Sequence, residues 1–300
     1  MNTPTARVHH TTTGDGATLT TRIVGADHGA TATVVFAHGY CLRSSTWTRI
    51  VRTLAAQRPD IRFITFDQRG HGSSPLPAGG ASIDHLGRDL HSVIDRHACG
   101  PVILVGHSMG AMGIMSYARQ FPHEVADRVG GAVLISTAPR GLAYCGLWSP
   151  YNRLPLLMVR AALAISPRYA NHLKDRVVRL LSPALHAAQH HMGYRDYRPA
   201  DCIEAPVQTI AAFLATLTNH DQRAALPVLA QVPCAVICGD CDIATPAVHS
   251  AAMAETLGAA LTLLPGVGHL AHLERPAVVA SIIDNIVSTA VETVKLPAAL

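Results

Sequence analysis

Val102-Ile103-Leu104-Val105-Gly106-His107-Ser108-Met109-Gly110, with the helical pattern of residues 111–120 behind it, decides the fold. Four apolar residues, three of them β-branched, read as a buried strand. They run straight into G-x-S-x-G, and a helix starts immediately after. A strand that turns into a helix within so few residues needs small neighbours on both sides of the bend. It leaves Ser108 on a sharp, strained turn with its hydroxyl above the sheet edge. The new helix then offers backbone donors and the positive end of its dipole at the same point, with the Met109 N–H nearest. A bare G-x-S-x-G is also an ordinary glycine-rich turn. The strand before it and the helix after it point to a nucleophilic serine.

Working outward, the same punctuation recurs. Residues 33–37 end at His38-Gly39, 63–66 at Asp67-Gln68-Arg69-Gly70, 132–135 at Ser136-Thr137, 235–238 at Gly239-Asp240, and 261–264 at Pro265-Gly266. Residues 19–24 follow a Gly-Asp-Gly turn as a hairpin strand. Helical patterns lie between the strands. Ile83, Leu86, Leu90, Val93 and Ile94 share one face, with Ser82 placed to cap it. Val278, Val279, Ile282, Ile283, Ile286 and Val287 form a last helix, with Pro276 in its first turn. Short strands alternating with helices predict an α/β fold: a mainly parallel central sheet flanked by helices. Polar residues collect at the C-terminal ends of the strands, where such sheets bind ligands. One segment breaks the alternation. Roughly ninety residues separate two strands, far beyond an ordinary loop. Residues 138–226 are therefore expected to form a helical cap or lid, inserted into a core of residues 1–137 and 227–300.

Composition bounds the function. The chain has 300 residues, 49% hydrophobic and 15% charged, so it can bury a large core. A net charge of +4 without a Lys/Arg block argues against nucleic-acid partners. The charge is uneven. The 138–226 segment holds nine arginines and Lys174 against five acids, while the remainder nets −1. Seven cysteines at irregular spacing do not read as a secreted disulfide framework. Cys234, Cys238 and Cys241 have the look of a metal motif. However, the first two fall about 13 Å apart along a strand, too far for one zinc at thiolate distances of about 2.3 Å. No metal or organic cofactor is implied. The N-terminus lacks a signal-peptide core, and no apolar run reaches 18 residues, so a cytoplasmic protein is the default expectation.

A serine hydroxyl needs a base, and a base needs an orienting acid. Eighteen histidines compete for the first role. Asp240 and Asp242 both stand at the end of the 235–238 strand. The motifs in sequence order settle more: His38-Gly39, Asp67-Gln68-Arg69-Gly70-His71-Gly72-Ser73-Ser74, the GHSMG at 106–110, Gly239-Asp240-Cys241-Asp242, and Gly268-His269. In this order the chain resembles the α/β-hydrolase superfamily over residues 15 to 290, most closely its cap-bearing serine esterase, lipase and C–C hydrolase branch. The resemblance implies the chain order serine, acid, histidine. That leaves His269, His272 and His249, and the family's Gly-His turn falls on His269. Its Gly-x-x-Asp pattern, with Pro246 following, falls on Asp242, with Asp240 as a turn residue. Its oxyanion loop implies Tyr40 beside Met109 as a backbone donor, with Cys41 next in line. It reads Asp67 and Arg69 as loop architecture.

The implied activity is hydrolysis of a carboxylic ester, lipidic ester or thioester through an acyl-enzyme. The same three residues also serve C–C bond hydrolysis, perhydrolysis and acyl transfer, and a non-catalytic ligand receptor can retain the shell. Epoxide hydrolysis and dehalogenation would place an Asp where Ser108 stands. Cys41, Leu142 and Trp148 are expected to line the substrate pocket. Leu142, Leu147, Trp148, Leu154, Leu156, Leu157 and Met158 supply either an acyl pocket or the cap's own core. Residues 154–165, with the cap arginines, suggest peripheral contact with an anionic membrane.

Overall fold

Strand residues that alternate between two helical layers are buried on both faces, and the runs 32–37, 61–66 and 102–107 are buried throughout. The computed structural model describes residues 6–26, 29–140, 166–191 and 204–295. Its strands are β1 (Arg7–Thr12), β2 (Thr18–Gly25), β3 (Ala32–Ala37), β4 (Ile61–Phe66), β5 (Val102–His107), β6 (Val129–Ile135), β7 (Cys234–Gly239) and β8 (Ala260–Leu264). They form one sheet in the order β1-β2-β4-β3-β5-β6-β7-β8. The β1/β2 and β2/β4 pairs are antiparallel, and the other pairs are parallel.

The helices are α1 (Thr48–Gln57), α2 (Ile83–His97), α3 (Met109–Gln120), α4 (Pro122–Arg128), α5 (Pro167–His191), α6 (Val207–Asn219), α7 (Leu226–Leu229), α8 (Ala247–Leu257), α9 (Ala271–Glu274) and α10 (Pro276–Lys295). The two-residue period of the strands divides the core. Val35, Ile64, Leu104, Leu134 and Val236 pack with α2, α3, α7 and α8. Val34, Phe63, Ile103, Val105, Val133 and Ile237 pack with α1, α10 and Trp47. The Ser82 hydroxyl caps α2 by accepting from the His85 N–H at 3.2 Å, and Asp84 and Arg96 sit at the helix ends that suit their charges.

Between β6 and β7 the chain leaves the sheet. It departs and returns side by side. Arg140 pairs with Asp221, and the Gln222 N–H donates to the Pro139 carbonyl at 2.7 Å. The described part of this excursion is α5, α6 and α7. α6 is anchored inward: Phe213 and Leu217 are buried in the same cluster as α2 and α3. Leu142, Leu147, Trp148, the 154–165 stretch and Met158 lie outside the described residues.

Candidate active site

Ser108 sits between β5 and α3 with φ 51° and ψ −118°, a left-handed conformation that a side chain rarely adopts. Its backbone is held from three directions. The Ser108 N–H donates to Ile135 O at 2.9 Å, and its carbonyl accepts from Met112 N at 3.1 Å and from the Thr137 hydroxyl at 3.0 Å. The flanking glycines are steric necessities. A Cβ on Gly110 would stand 2.2 Å from Ala37 O, and one on Gly106 would stand 2.6 Å from Ala111 Cα. Both distances are below any real contact, so the elbow closes only because both positions lack a side chain.

Two loops at the same sheet edge meet this serine. His269, in the loop after β8, brings Nε2 to 3.0 Å from Ser108 Oγ. Its Nδ1 lies 2.9 Å from Asp242 Oδ2 and 3.1 Å from Oδ1. Asp242, after β7, is buried and accepts from Ala244 N and Thr245 N at Oδ1, each 2.9 Å, and at Oδ2 from the Thr245 hydroxyl at 2.8 Å and, more weakly, the Cys238 thiol at 4.0 Å. Burial alone would raise this carboxyl. The adjacent His269 imidazole and the Thr245 donors outweigh it and hold Asp242 below the ordinary carboxylate range. Asp240 faces elsewhere, accepting from Gly266 N at 2.8 Å on the exposed side of the loop. His249 lies on α8 and lines a surface pocket with Arg140 and Met253.

The His269 loop is itself fixed. Its Gly268 N–H donates to both Glu274 carboxylate oxygens at 3.2 Å, and the His269 carbonyl accepts from His107 Nε2 at 2.8 Å. That bond makes His107 the Nε2–H tautomer. His272 is fully buried behind it, with ring centroids 4.2 Å from His107 and 4.6 Å from Trp47. Neither of its ring nitrogens has a hydrogen-bond partner among the described residues. Burial holds His272 neutral, lowered to about 3, and lowers His107 as well.

On the other side of the elbow lies the loop after β3. The Cys41 N–H donates to His71 Nε2 at 3.2 Å, and the Cys41 carbonyl accepts from Glu204 N at 3.0 Å. Cys41 takes φ 64° to make both contacts. The Tyr40 hydroxyl donates to Ile210 O of α6 at 2.5 Å. Thr209 of α6 donates to Gly70 O at 2.8 Å, and the Phe213 ring packs on His71 at 5.4 Å. The Asp67–Arg69 loop is architectural. Asp67 accepts from Ser44 N, Ser73 N and Arg22, and Arg69 is buried between Asp89 and Asp15. The sequence reading gives His107 a loop-ordering role, which its bond to the His269 carbonyl fits, but does not pick out Thr245 or Glu274 as positioning residues. A hydroxyl three residues after an Asp in a turn is a recognisable pattern for Thr245. The Glu274 contact with the Gly268 N–H carries no such local signal.

The sheet order, the strained elbow and the three loops converging on it define the α/β-hydrolase class. Residues 34–282 match the model of the alpha/beta hydrolase family, and the chain belongs to that family. Its first curated relatives share shorter stretches. A putative non-heme chloroperoxidase of Synechocystis sp. is 32% identical over 130 residues, covering 43% of this chain and 45% of that protein. A non-heme haloperoxidase of Rhodococcus erythropolis is 34% identical over 119 residues, covering 40% and 42%. The chain thus spans less than half the length of these two relatives. The sn-1-specific diacylglycerol lipase ABHD11 of Mus musculus is 24% identical over 254 residues, covering 81% and 76%. Among solved structures, a thermophilic esterase from Thermogutta terrifontis superposes with a TM-score of 0.72 at 23% identity, covering 95% of this chain and 99% of that one. No described helix is long and apolar enough to cross a membrane.

Proposed function

We propose that this chain is a serine hydrolase of carboxylic esters, acting through an acyl-enzyme on Ser108. The observation that carries the reading is the unbroken line Ser108 Oγ, His269 Nε2, His269 Nδ1, Asp242, at 3.0 and 2.9 Å, on a strained strand-to-helix turn. His269 takes the Ser108 proton as Oγ attacks the ester carbonyl. Asp242 fixes the Nδ1–H tautomer and stabilises the imidazolium that forms. The proton then passes to the leaving alkoxide, and water, deprotonated by the same histidine, releases the acid. The N–H of Met109, at the start of α3, and that of Tyr40 are assigned to the developing oxyanion. Cys41 is the weaker candidate because its N–H is already directed to His71.

Residues 138–226 are assigned as a cap over this edge. The paired neck at Pro139 and Gln222, and the α6 contacts to Tyr40 and Gly70, support that reading. The substrate class is small or lipidic esters, thioesters included. The haloperoxidase names among the relatives favour one second reading, in which hydrogen peroxide replaces water as the attacker of the acyl-enzyme.

The test is labelling by a fluorophosphonate probe, wild type beside Ser108→Ala, with turnover of p-nitrophenyl esters of increasing chain length. Wild type is expected to label and the variant not. Turnover is expected to fall by about 10³-fold or more. A folded wild type that neither labels nor turns over would sink the proposal. Peracid formation in the presence of peroxide would select the second reading.

A further inference from the structure

The outer face of α5 has the wrong chemistry for a surface that meets only water. At 3.6 residues per turn, Tyr169, Leu173, Val177 and Leu180 fall in one stripe spanning about 80° of the helix. They are 58%, 43%, 43% and 78% exposed. Among the described residues, the opposite side of α5 makes the contacts. Ala170 is buried, Asn171 bonds Gln208 and the Val207 N–H, and Lys174 donates to Ala205 O at 2.9 Å, all toward α6. Single exposed apolar side chains are ordinary. Four aligned along nearly three turns form a patch that soluble surfaces avoid unless something binds there.

Charge selects the occupant. Arg168, Arg176 and Arg179 lie beside the stripe on the exposed arc, and Asp175 is the only acid in α5. Among the described residues no carboxylate pairs with these three arginines, and Asp175 lies 3.2 Å from Lys174. A second copy of the chain would bring the same basic edge against itself. An anionic bilayer surface instead satisfies both halves of the face: the acyl region takes the stripe, and the phosphates take guanidinium groups on stems long enough to reach them. The apolar 154–165 stretch, which suggested such contact from sequence, is not needed for this.

We infer that α5 is a membrane-docking helix that seats its Tyr169–Leu180 face on anionic phospholipid. α6 lies directly beneath it and carries the bond to Tyr40, so the seated face is one helix away from the loop that meets Ser108. The docking does not rest on the acyl-enzyme chemistry.

The experiment is co-sedimentation of the full chain with vesicles of phosphatidylcholine alone and of phosphatidylcholine mixed with phosphatidylglycerol. Each is run at low and high salt, with labelling by the fluorophosphonate probe in parallel. Wild type is expected to partition onto the anionic vesicles and to be released by salt. Replacing Arg168, Arg176 and Arg179 by Gln is expected to weaken partitioning by about fivefold per arginine. Leu173→Glu with Leu180→Glu is expected to abolish it, with melting temperature and probe labelling unchanged because both side chains face outward. Equal partitioning onto both vesicle types, or unchanged binding by both variants, would overturn the inference. So would a dimer in light scattering that Leu180→Glu dissociates while wild type ignores vesicles, since the face would then belong to a second copy. Loss of labelling with vesicle binding intact would count against the hydrolase reading alone.

Discussion

The Ser108 edge and the outer face of α5 are opposites in how their polar and apolar atoms are handled. At the edge, Asp242 accepts from Ala244, Thr245 and His269, and Ser108's own backbone is held by Ile135, Met112 and Thr137. On α5, Leu180 stands 78% exposed beside Arg176 and Arg179, which no carboxylate pairs among the described residues. Chemistry demands sub-ångström placement, so its residues are over-determined by neighbours. A surface that grips a fluid partner needs only the right periodicity of apolar and basic groups. The first kind of region should therefore punish single atoms, and the second should respond in graded steps.

The sharpest way to break this contrast is at the two acids. Asp242→Asn keeps the shape of the side chain, but its amide donates toward His269 and favours the wrong tautomer. A loss of about 10³–10⁴-fold in kcat/KM is expected. Asp240→Asn, two residues away, loses contacts with Gly266 N and Cys241 rather than with His269, and should cost no more than about threefold. Steady-state ester hydrolysis by both variants decides the matter. Comparable losses would mean that the edge is not fixed atom by atom as described.

Acid stability gives the next largest effect. Burial, chiefly, lowers His38 to about 4 and His71 and His272 to about 3. His38 Nε2 accepts from Gln68 N and His71 Nε2 from Cys41 N, so both must stay neutral to hold their loops. Their folded values lie below the unfolded value of about 6.5, so the unfolded chain takes up protons first as pH falls. Stability from these groups is complete above about pH 6.5 and is lost on descent toward pH 4 and 3, by about 1.4 kcal/mol per histidine per pH unit. Urea unfolding at a series of pH values measures the slope. His272→Phe keeps the ring between Trp47 and His107 and should remove about one histidine's share of it. An unchanged slope would mean that His272 is not held neutral in the folded protein.

What the sequence revealed follows the same division. The strand ends, Ser108, His269 and Asp242 were marked because glycine, proline and turn residues are forced there by sterics, and forced residues form short motifs. β1 was missed because only Thr11 of its six residues is buried, so no apolar alternation marks it. α1 was missed because Ile50, Val51 and Leu54 are interleaved with Thr48 and Thr53, which read as extended chain. Thr245's part in holding Asp242 depends on the turn's geometry rather than on residue type alone. The α5 stripe leaves no local signal, since the dense apolar run of this segment lies at 154–165. Tyr169, Leu173, Val177 and Leu180 are separated by charges in sequence and line up only on a helix.

The smallest expected effect tests the junction between the two regions, and it separates two roles within one residue. The backbone N–H of Tyr40 is assigned to the oxyanion, while its hydroxyl ties the same loop to Ile210 in α6. Tyr40→Phe removes the second and leaves the first. Deleting that hydrogen bond should lower stability by about 1 kcal/mol. If α6 serves only as packing, the melting temperature falls and the kinetics do not change. If α6 holds the insertion over the edge, KM for the longer esters rises while kcat stays near wild type, because binding is lost without touching the oxyanion donor. Thr209→Val, which cuts the neighbouring tie to Gly70, should reproduce the same split. A fall in kcat with KM unchanged would contradict both outcomes. It would place the Tyr40 hydroxyl among the groups that set the position of the reacting atoms, and the over-determined edge would then extend into α6.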